Sequence, residues 1–440
     1  MIGLRPDATV AWQDGVLTIT HQFGTQAARG LTPRVAALIA GLPGVLADED
    51  DLAERLLKGG GTSQEIALLY LVIDRLHAVL VHTVEPLLRV TPITRDAVFR
   101  LPDLAPDDVV RLSRFALVRG SGDGLILESP LSRHRVTLTE EAMPLVAALA
   151  RGVMVKEAPA ALAHLVAAGM AGGDVEDEHP ALRAWEFHDL LFHSRSRVGR
   201  HDQPVGATFR FTGVTDPEPA LKPVPEGPVT ELFRPSLDDP SPPFTTVLEG
   251  RRSVRQYADA PTLRQLGELL YRTARVRAVF PPAPGAPYET SSRPYPGGGA
   301  AHELELYLTV HRCEGLESGV YYYDPLGHRL VTLPARPEDA RAMLHLASIS
   351  TGMQAQPDVL VTMTSRFQRM SWKYAGLAYA ASLKNVGALY QTFYLVATAM
   401  GMSPCGLGAG DAELAARTFG LDWATESSVG EFLIGGTPGL

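Results

Sequence analysis

The sequence predicts an α+β chain of several folding units. Three observations carry that expectation: two Asp-Gly turns, each between short β-like runs and followed by a threonine and a helical apolar pattern; an alternating strand, LELYLTV; and a long uncharged run between Lys384 and Asp411. At 440 residues the chain exceeds one ordinary core, because single cores stop growing at roughly 250–300 residues. Its 45% hydrophobic and 20% charged residues are ordinary globular values, so disorder is not expected.

Charge and cysteine usage narrow the function classes. The formal net charge of −9 disfavours nucleic acid as a partner, since nonspecific affinity for it comes from Lys and Arg on phosphates. Cys313 and Cys405 are too few for a disulfide framework and fit a reducing cytoplasm. The opening MIGLRPDATVAWQDG has Asp7 and Asp14 where a signal peptide needs an apolar run, so export is not expected. The uncharged run after Lys384 is long enough to cross a bilayer. Its Asn385, Gln391 and glycines from Gly401 to Gly408 instead favour a buried core or dimer helix, with no membrane partner.

The first half holds a repeat. VAWQDGVLTI is followed by LTPRVAALIAGLPG and closes with LVIDRLHAVLV; FALVRGSGDGLILES is followed by LTEEAMPLVAALARG and closes with ALAHLVAAGM. In both, an Asp-Gly pair (Asp14-Gly15, Asp123-Gly124) reads as a hairpin turn, and a threonine (Thr32, Thr139) is placed to cap a helix. The outline suits two winged-helix-like units, 1–95 and 96–180. Such units bind DNA, serve as structure, or dock a peptide strand on a hairpin edge; docking is assigned to 96–180. The acidic run ADEDDLAE reads as a solvated helix start.

Residues 181–244 read as a proline-rich linker that wraps over something, because DPEPALKPVPEGPVTELFRPSLDDPSPPF can hold neither a regular helix nor a central strand. His188, Asp189 and His193 match no standard metal-ligand spacing and read as a packed anchor, so no metal is expected.

Residues 245–440 read as the catalytic domain. RRSVRQY places Arg251, Arg252 and Arg255 ahead of PTLRQLGELLYRTARV, where Thr262 caps a helix burying Leu263, Leu266, Leu269 and Leu270. Guanidinium forks suit phosphate oxygens, and donors near a helix start add to them; the same spacing also suits a solvated turn. SSRPYPGGGAAHELELYLTV sets Gly297 to Gly299 before a strand whose Leu304, Leu306, Leu308 and Val310 share one face. There a glycine backbone lets a flat ligand approach closely. GVYYYDPLGHRLVTL reads as a hairpin turning at Pro325 to Gly327, and PDVLVTMTSRF as a further strand.

The order RRSxRxY, RPYPxGGAxxxLELYL, GVYYYDP, KYxxLxY, GxxxQTxYLxAxAxGM and CGLGAGD resembles the flavin-dependent nitroreductase fold, and within it the SagB-type dehydrogenases of thiazole/oxazole-modified peptide biosynthesis. The likeness covers Thr245 to about Gly435, while WExHDLLFHSRSRxGR and the paired units resemble cyanobactin oxidases. It implies a mixed sheet flanked by helices, an intertwined homodimer, and FMN at the dimer interface. Arg251, Arg252, Ser253 and Arg255 match the phosphate and ribityl contacts. Pro296, Gly297 and Gly298 match the loop that covers the flavin ring from the partner, and Leu407 and Gly408 match the backbone near flavin N5. Cys405, in the same loop, reads as a small buried packing residue.

The resemblance also assigns chemistry to Lys373 and Tyr374. Turning an azoline into an azole removes a proton from one ring carbon and a hydride from its neighbour, so a base must face the flavin. A lysine drawn out of water can serve, with a tyrosine to relay the proton; the residues alone equally suit a snorkelling lysine and a core tyrosine at a helix start. The implied function is an FMN-dependent azoline dehydrogenase acting on a ribosomal precursor peptide, with a cyclodehydratase as a possible partner. The alternatives are an NAD(P)H-dependent flavin reductase of dehydroamino acids or nitro compounds, and a non-catalytic scaffold. Departures from the family are Gly297 in place of a usual serine, His302-Glu303 where aromatic and proline residues are common, and Arg417 as the only basic residue after Lys384.

Overall fold

The computed structural model describes residues 1–122, 124–173, 176, 179–239, 241–284, 286–352 and 356–439. It divides into two compact units, Met1–Gln203 and Pro204–Leu440.

The first unit holds both segments of the expected repeat. Asp14 and Gly15 adopt φ 53° and 74°, the left-handed pair a two-residue hairpin needs, and join strands Thr9–Gln13 and Val16–His21. Asp123 lies outside the described residues, but the strands on either side of it, Leu117–Ser121 and Gly124–Glu128, pair as a hairpin. Thr32 accepts from the Val35 N–H and caps helix Pro33–Ala40. Thr139 precedes a tight turn, Glu140–Ala142, and does not cap it; its hydroxyl donates instead to the Leu87 carbonyl at 3.2 Å. The acidic run begins helix Glu49–Lys58 behind Asp48.

Each copy has its own apolar core, one within Ile2–Leu80 and one within Leu88–Ala171. The division at 95/96 nevertheless runs through a sheet. His134–Leu138 pairs with Leu88–Pro92, giving the six-stranded order Ile2–Leu4, Leu80–Val84, Leu88–Pro92, His134–Leu138, Gly124–Glu128, Leu117–Ser121. The packed-anchor reading of helix Phe187–Arg195 is corrected in part: the His188 and Asp189 side chains are 80% and 59% exposed, and only His193 packs, stacking on Trp185.

The second unit is a seven-stranded sheet in the order Val229–Glu231, Arg329–Thr332, Gly319–Asp324, Leu304–Val310, Val359–Arg366, Glu426–Gly435, Ser403–Gly406. Every pairing in it is antiparallel, so the sheet is not mixed as expected. Tight reversals such as Pro325–Gly327 join neighbouring strands directly, and a direct reversal forces an antiparallel pair. Leu304, Leu306, Leu308 and Val310 face the core that helices Leu263–Ala274 and Ala378–Ala399 complete. To the sheet the proline-studded stretch contributes the edge strand Val229–Glu231. Among the described residues no helix is long and apolar enough to cross a membrane.

Candidate functional site

The arginine segment follows helix Phe244–Gly250 and runs extended beside strand Ser403–Gly406, with the Val254 N–H on the Pro404 carbonyl. It does not borrow donors from the helix that starts at Leu263. Those donors are already used: Thr262 and Gln265 cap each other, and the Leu263 N–H meets the Glu314 carbonyl. Arg251 lies over the Tyr394 ring, 5.0 Å from its centroid. Ser253 Oγ shares a 2.7 Å hydrogen bond with Tyr394 Oη, which also accepts from the Gly406 N–H at 2.8 Å. One tyrosine therefore ties the arginine segment to the Cys405–Gly408 loop. Cys405 is fully buried there, and burial pushes its thiol up despite Arg255 and Ser253 beside it.

Arg252, Ser253, Arg255, Tyr257 and Arg312 line a cleft of about 630 Å³, within the roughly 300–1,000 Å³ of small-molecule sites. Arg312 is held by Asp358 at 2.7 Å. Among the described residues Arg251, Arg252 and Arg255 join no ion pair. Arg417 is engaged by Asp339 at 3.2 Å. Among the described residues Arg252 and Arg255 thus bring positive charge to the cleft without an ion-pair partner, which fits a phosphate group. Leu407 donates its N–H to the Glu431 carbonyl at 2.9 Å and accepts from Tyr390 Oη at 3.2 Å, whereas Gly408 is exposed with open space where a side chain would stand.

The glycine loop is bound from beneath. The Gly298 N–H donates to Asn385 Oδ1 at 3.0 Å, and Asn385 Nδ2 donates to buried Glu303 at 2.9 Å. Arg369 donates to the Ala301, Glu218 and Glu289 carbonyls. A side chain at Gly297 would meet the His302 ring, with Nδ1 2.8 Å from its Cβ. His302 therefore fills the space that the missing side chain leaves. Burial, with Arg293 and Arg369 nearby, pushes its imidazole down to about 3, so it is neutral. Pro296 is exposed at the start of the loop.

Lys373 and Tyr374 meet this loop. Lys373 ends helix Phe367–Lys373 and Tyr374 opens a short strand, so the pair sits at a helix end and not a start. Lys373 Nζ donates to Tyr288 Oη and, at 3.3 Å, to the Gly299 carbonyl. A Cβ on Gly299 would stand 2.0 Å from Nζ and 2.5 Å from Tyr374 Oη.

The segment that follows the first unit straps this pair in place. Gly206–Ala207 pairs with Tyr374–Ala375, and the Thr208 and Phe209 N–H groups donate to the Lys373 carbonyl. Trp372 Nε1 reaches the Thr215 carbonyl at 2.7 Å, and Arg366 reaches those of Pro219 and Ala220. The expected wrap therefore covers the lysine helix.

Two clusters result within one chain: arginines with the Cys405–Gly408 loop, and glycine loop with Lys373 and Tyr374. They attach to helix Ala378–Ala399 at Tyr394 and Asn385, about 14 Å apart at 1.5 Å per residue. Sequence reasoning missed Tyr288, Asn385, Tyr390 and Tyr394 as site residues. Tyr390 and Tyr394 carried a usable signal, since an i,i+4 spacing puts both on one helix face; Tyr288, in a loop, carried none.

Comparison with known proteins matches residues 248–435 to the nitroreductase family and residues 110–202 to the cyanobactin oxidase ThcOx family. The chain is 30% identical over 164 residues to the putative nitroreductase MJ1384 of Methanocaldococcus jannaschii, covering 37% of this chain and 77% of that protein. It is 27% identical over 110 residues to the trifolitoxin-processing protein TfxB of Rhizobium leguminosarum bv. trifolii, covering 24% of this chain and 30% of that one. It is also 27% identical over 155 residues to the microcin B17-processing protein McbC of Escherichia coli, covering 34% and 55%. The chain thus spans less than two thirds of the two processing proteins.

Proposed function

We propose, because the chain belongs to the nitroreductase family, that it is an FMN-dependent dehydrogenase oxidising thiazoline or oxazoline rings to thiazole or oxazole in a ribosomally made precursor peptide. One observation carries this reading: a buried lysine, Lys373, and a half-buried tyrosine, Tyr374, stand together against the glycine loop that the resemblance lays over the flavin ring. A reductase supplied with hydride by NAD(P)H has less use for a base held there.

Arg252, Ser253 and Arg255 would hold the FMN phosphate, and Gly408 leaves room for the ring edge. Bound FMN supplies a two-electron acceptor for hydride from the azoline ring. Lys373 takes the proton from the neighbouring ring carbon, with Tyr374 orienting or relaying it. The ring loses one hydride and one proton, and its double bond closes. Because the two clusters lie apart in one chain, a homodimer in which each copy's glycine loop covers the other's cleft completes the site. The likeness of residues 110–202 to cyanobactin oxidase, and of the second half to two peptide-processing proteins, supports the peptide substrate. Its leader would add to an exposed strand edge of the first unit, such as Leu117–Ser121 or Gly24–Arg29. A cyclodehydratase would supply the azoline.

The test is anaerobic mixing of the yellow protein with an azoline-bearing peptide. Loss of flavin absorbance together with a product lighter by two hydrogens per ring is expected. Bleaching by NADPH alone, with none by the peptide, would favour the reductase reading; colourless protein would favour a scaffold.

A further inference from the structure

The second unit holds two lysines bonded to tyrosines, Lys222 partly buried and Lys373 buried, and they differ in one respect. Lys222 Nζ meets Tyr307 Oη at 2.7 Å and also the Glu426 carboxylate, so its charge is matched. Lys373, 8% exposed, meets Tyr288 Oη and the Gly299 carbonyl, and among the described residues no carboxylate pairs with it. A carboxylate would pair with the amine, whereas here neutral acceptors meet it.

Tyr288 is arranged for this task. Its hydroxyl donates to the Gly299 carbonyl at 2.8 Å, so toward the lysine it can only accept. Burial raises its titration, with Arg369 opposing, which keeps that hydroxyl protonated. Gly299, at φ 61°, has the backbone and the bare Cα that let its carbonyl reach both partners. The Lys373 nitrogen also lies over the Tyr288 and Tyr374 rings, 4.7 and 5.0 Å from their centroids. A neutral amine has two N–H groups and one lone pair. Tyr288 and Gly299 take both N–H groups.

We infer that Tyr288 is a positioning residue for Lys373: its hydroxyl, itself fixed by the Gly299 carbonyl, aligns the amine so that the nitrogen's remaining valence is free for the substrate proton. This rests on the base role given to Lys373 above. It assigns to the site a residue 85 positions away in the chain.

The test is Tyr288→Phe in the full-length flavoprotein. The ring contacts with Phe209 and Trp372, at 6.1 and 6.2 Å, stay in place, so the fold and the flavin absorbance are expected to be retained. Turnover is expected to fall by roughly 10- to 100-fold with KM within about threefold, as for a misaligned reacting group, and the pH–rate profile to move. A second readout needs no turnover: the pH dependence of Lys373 acylation, followed by mass spectrometry, is expected to shift in the variant. Unchanged pH–rate and acylation curves would overturn the inference and leave the dehydrogenase reading standing. Shifted acylation in a protein that never oxidises an azoline would do the reverse. If the variant melts early, the acylation curve at a temperature where it is folded decides.

Discussion

At Lys373 the chain ends a helix with its last side chain turned inward, onto neutral oxygens and two aromatic rings. Lys373→Ala is expected to keep bound FMN, because the cleft proposed for the phosphate lies at the other cluster, yet to lose about 100-fold or more in turnover, the range general-base removal gives. Visible absorbance of the purified variant and its rate on azoline peptide check both halves; turnover within about twofold of wild type would remove Lys373 from the chemistry. Gly299 is the companion case. Alanine there puts a methyl 2.0 Å from Nζ in a left-handed backbone, a conformation costing a non-glycine residue roughly 1–2 kcal/mol. Gly299→Ala should therefore displace the amine and lower turnover by about tenfold or more, with FMN retained. Local contacts such as Asp14-Gly15 and the Thr262 cap were legible because each is decided within four residues. The substitution at Gly297 was legible too, but its consequence was not: that His302 fills the space depends on a loop reversal no propensity describes.

Among elements, the strands and helices of the second unit follow their apolar periods, and Leu304, Leu306, Leu308 and Val310 fall on one core face as their alternation requires. What the pattern could not convey is direction and partner. The arginine segment reads as the approach to a helix, yet its backbone is committed to Pro404 through Val254 and, just beyond it, to Thr437 through Ala258, 150 and 179 residues downstream. Thr139 reads as a cap and bonds to Leu87. In the first unit, three elements converge on Phe99: strand Leu80–Val84 through His82, stacked at 3.9 Å; strand His134–Leu138 through His134; and helix Pro159–Ala167 through His164. Burial pushes His82 down to about 3 and His134 to about 4, with the neighbouring histidines adding to it. Both are neutral when folded, while the unfolded chain protonates them near 6.5. Between those values the unfolded state binds more protons, so stability is complete above pH about 6.5 and falls as pH drops toward 4, by about 1.4 kcal/mol per pH unit for each group. Thermal melts followed by circular dichroism from pH 7.5 to 4.5 should show this fall, and His82→Leu should flatten it. Equal slopes in wild type and variant would mean that other groups set the acid limit.

For the whole molecule, the apolar clusters respect the division at 203/204. Two lie within Ile2–Ala171 and two within Leu232–Ile434. The strap changes where a cut can be made. Residues 206–222 belong to the second unit, supplying a strand partner to Tyr374–Ala375, carbonyls to Arg366, Arg369 and Trp372, and Lys222 to Glu426. A chain starting at Pro204 should fold, bind FMN and oxidise a small azoline, while its KM for the full precursor rises by about tenfold or more through loss of the proposed docking edges. A chain starting at Pro223 should keep the sheet but lose most turnover, because nothing then holds the Lys373 backbone carbonyl or covers Arg366 and Arg369. Comparing KM and kcat of the two truncations with the intact protein separates docking from support. Equal KM for peptide in the intact and Pro204 chains would move docking out of the first unit, and equal kcat in the Pro204 and Pro223 chains would show that the strap contributes nothing to the lysine's placement.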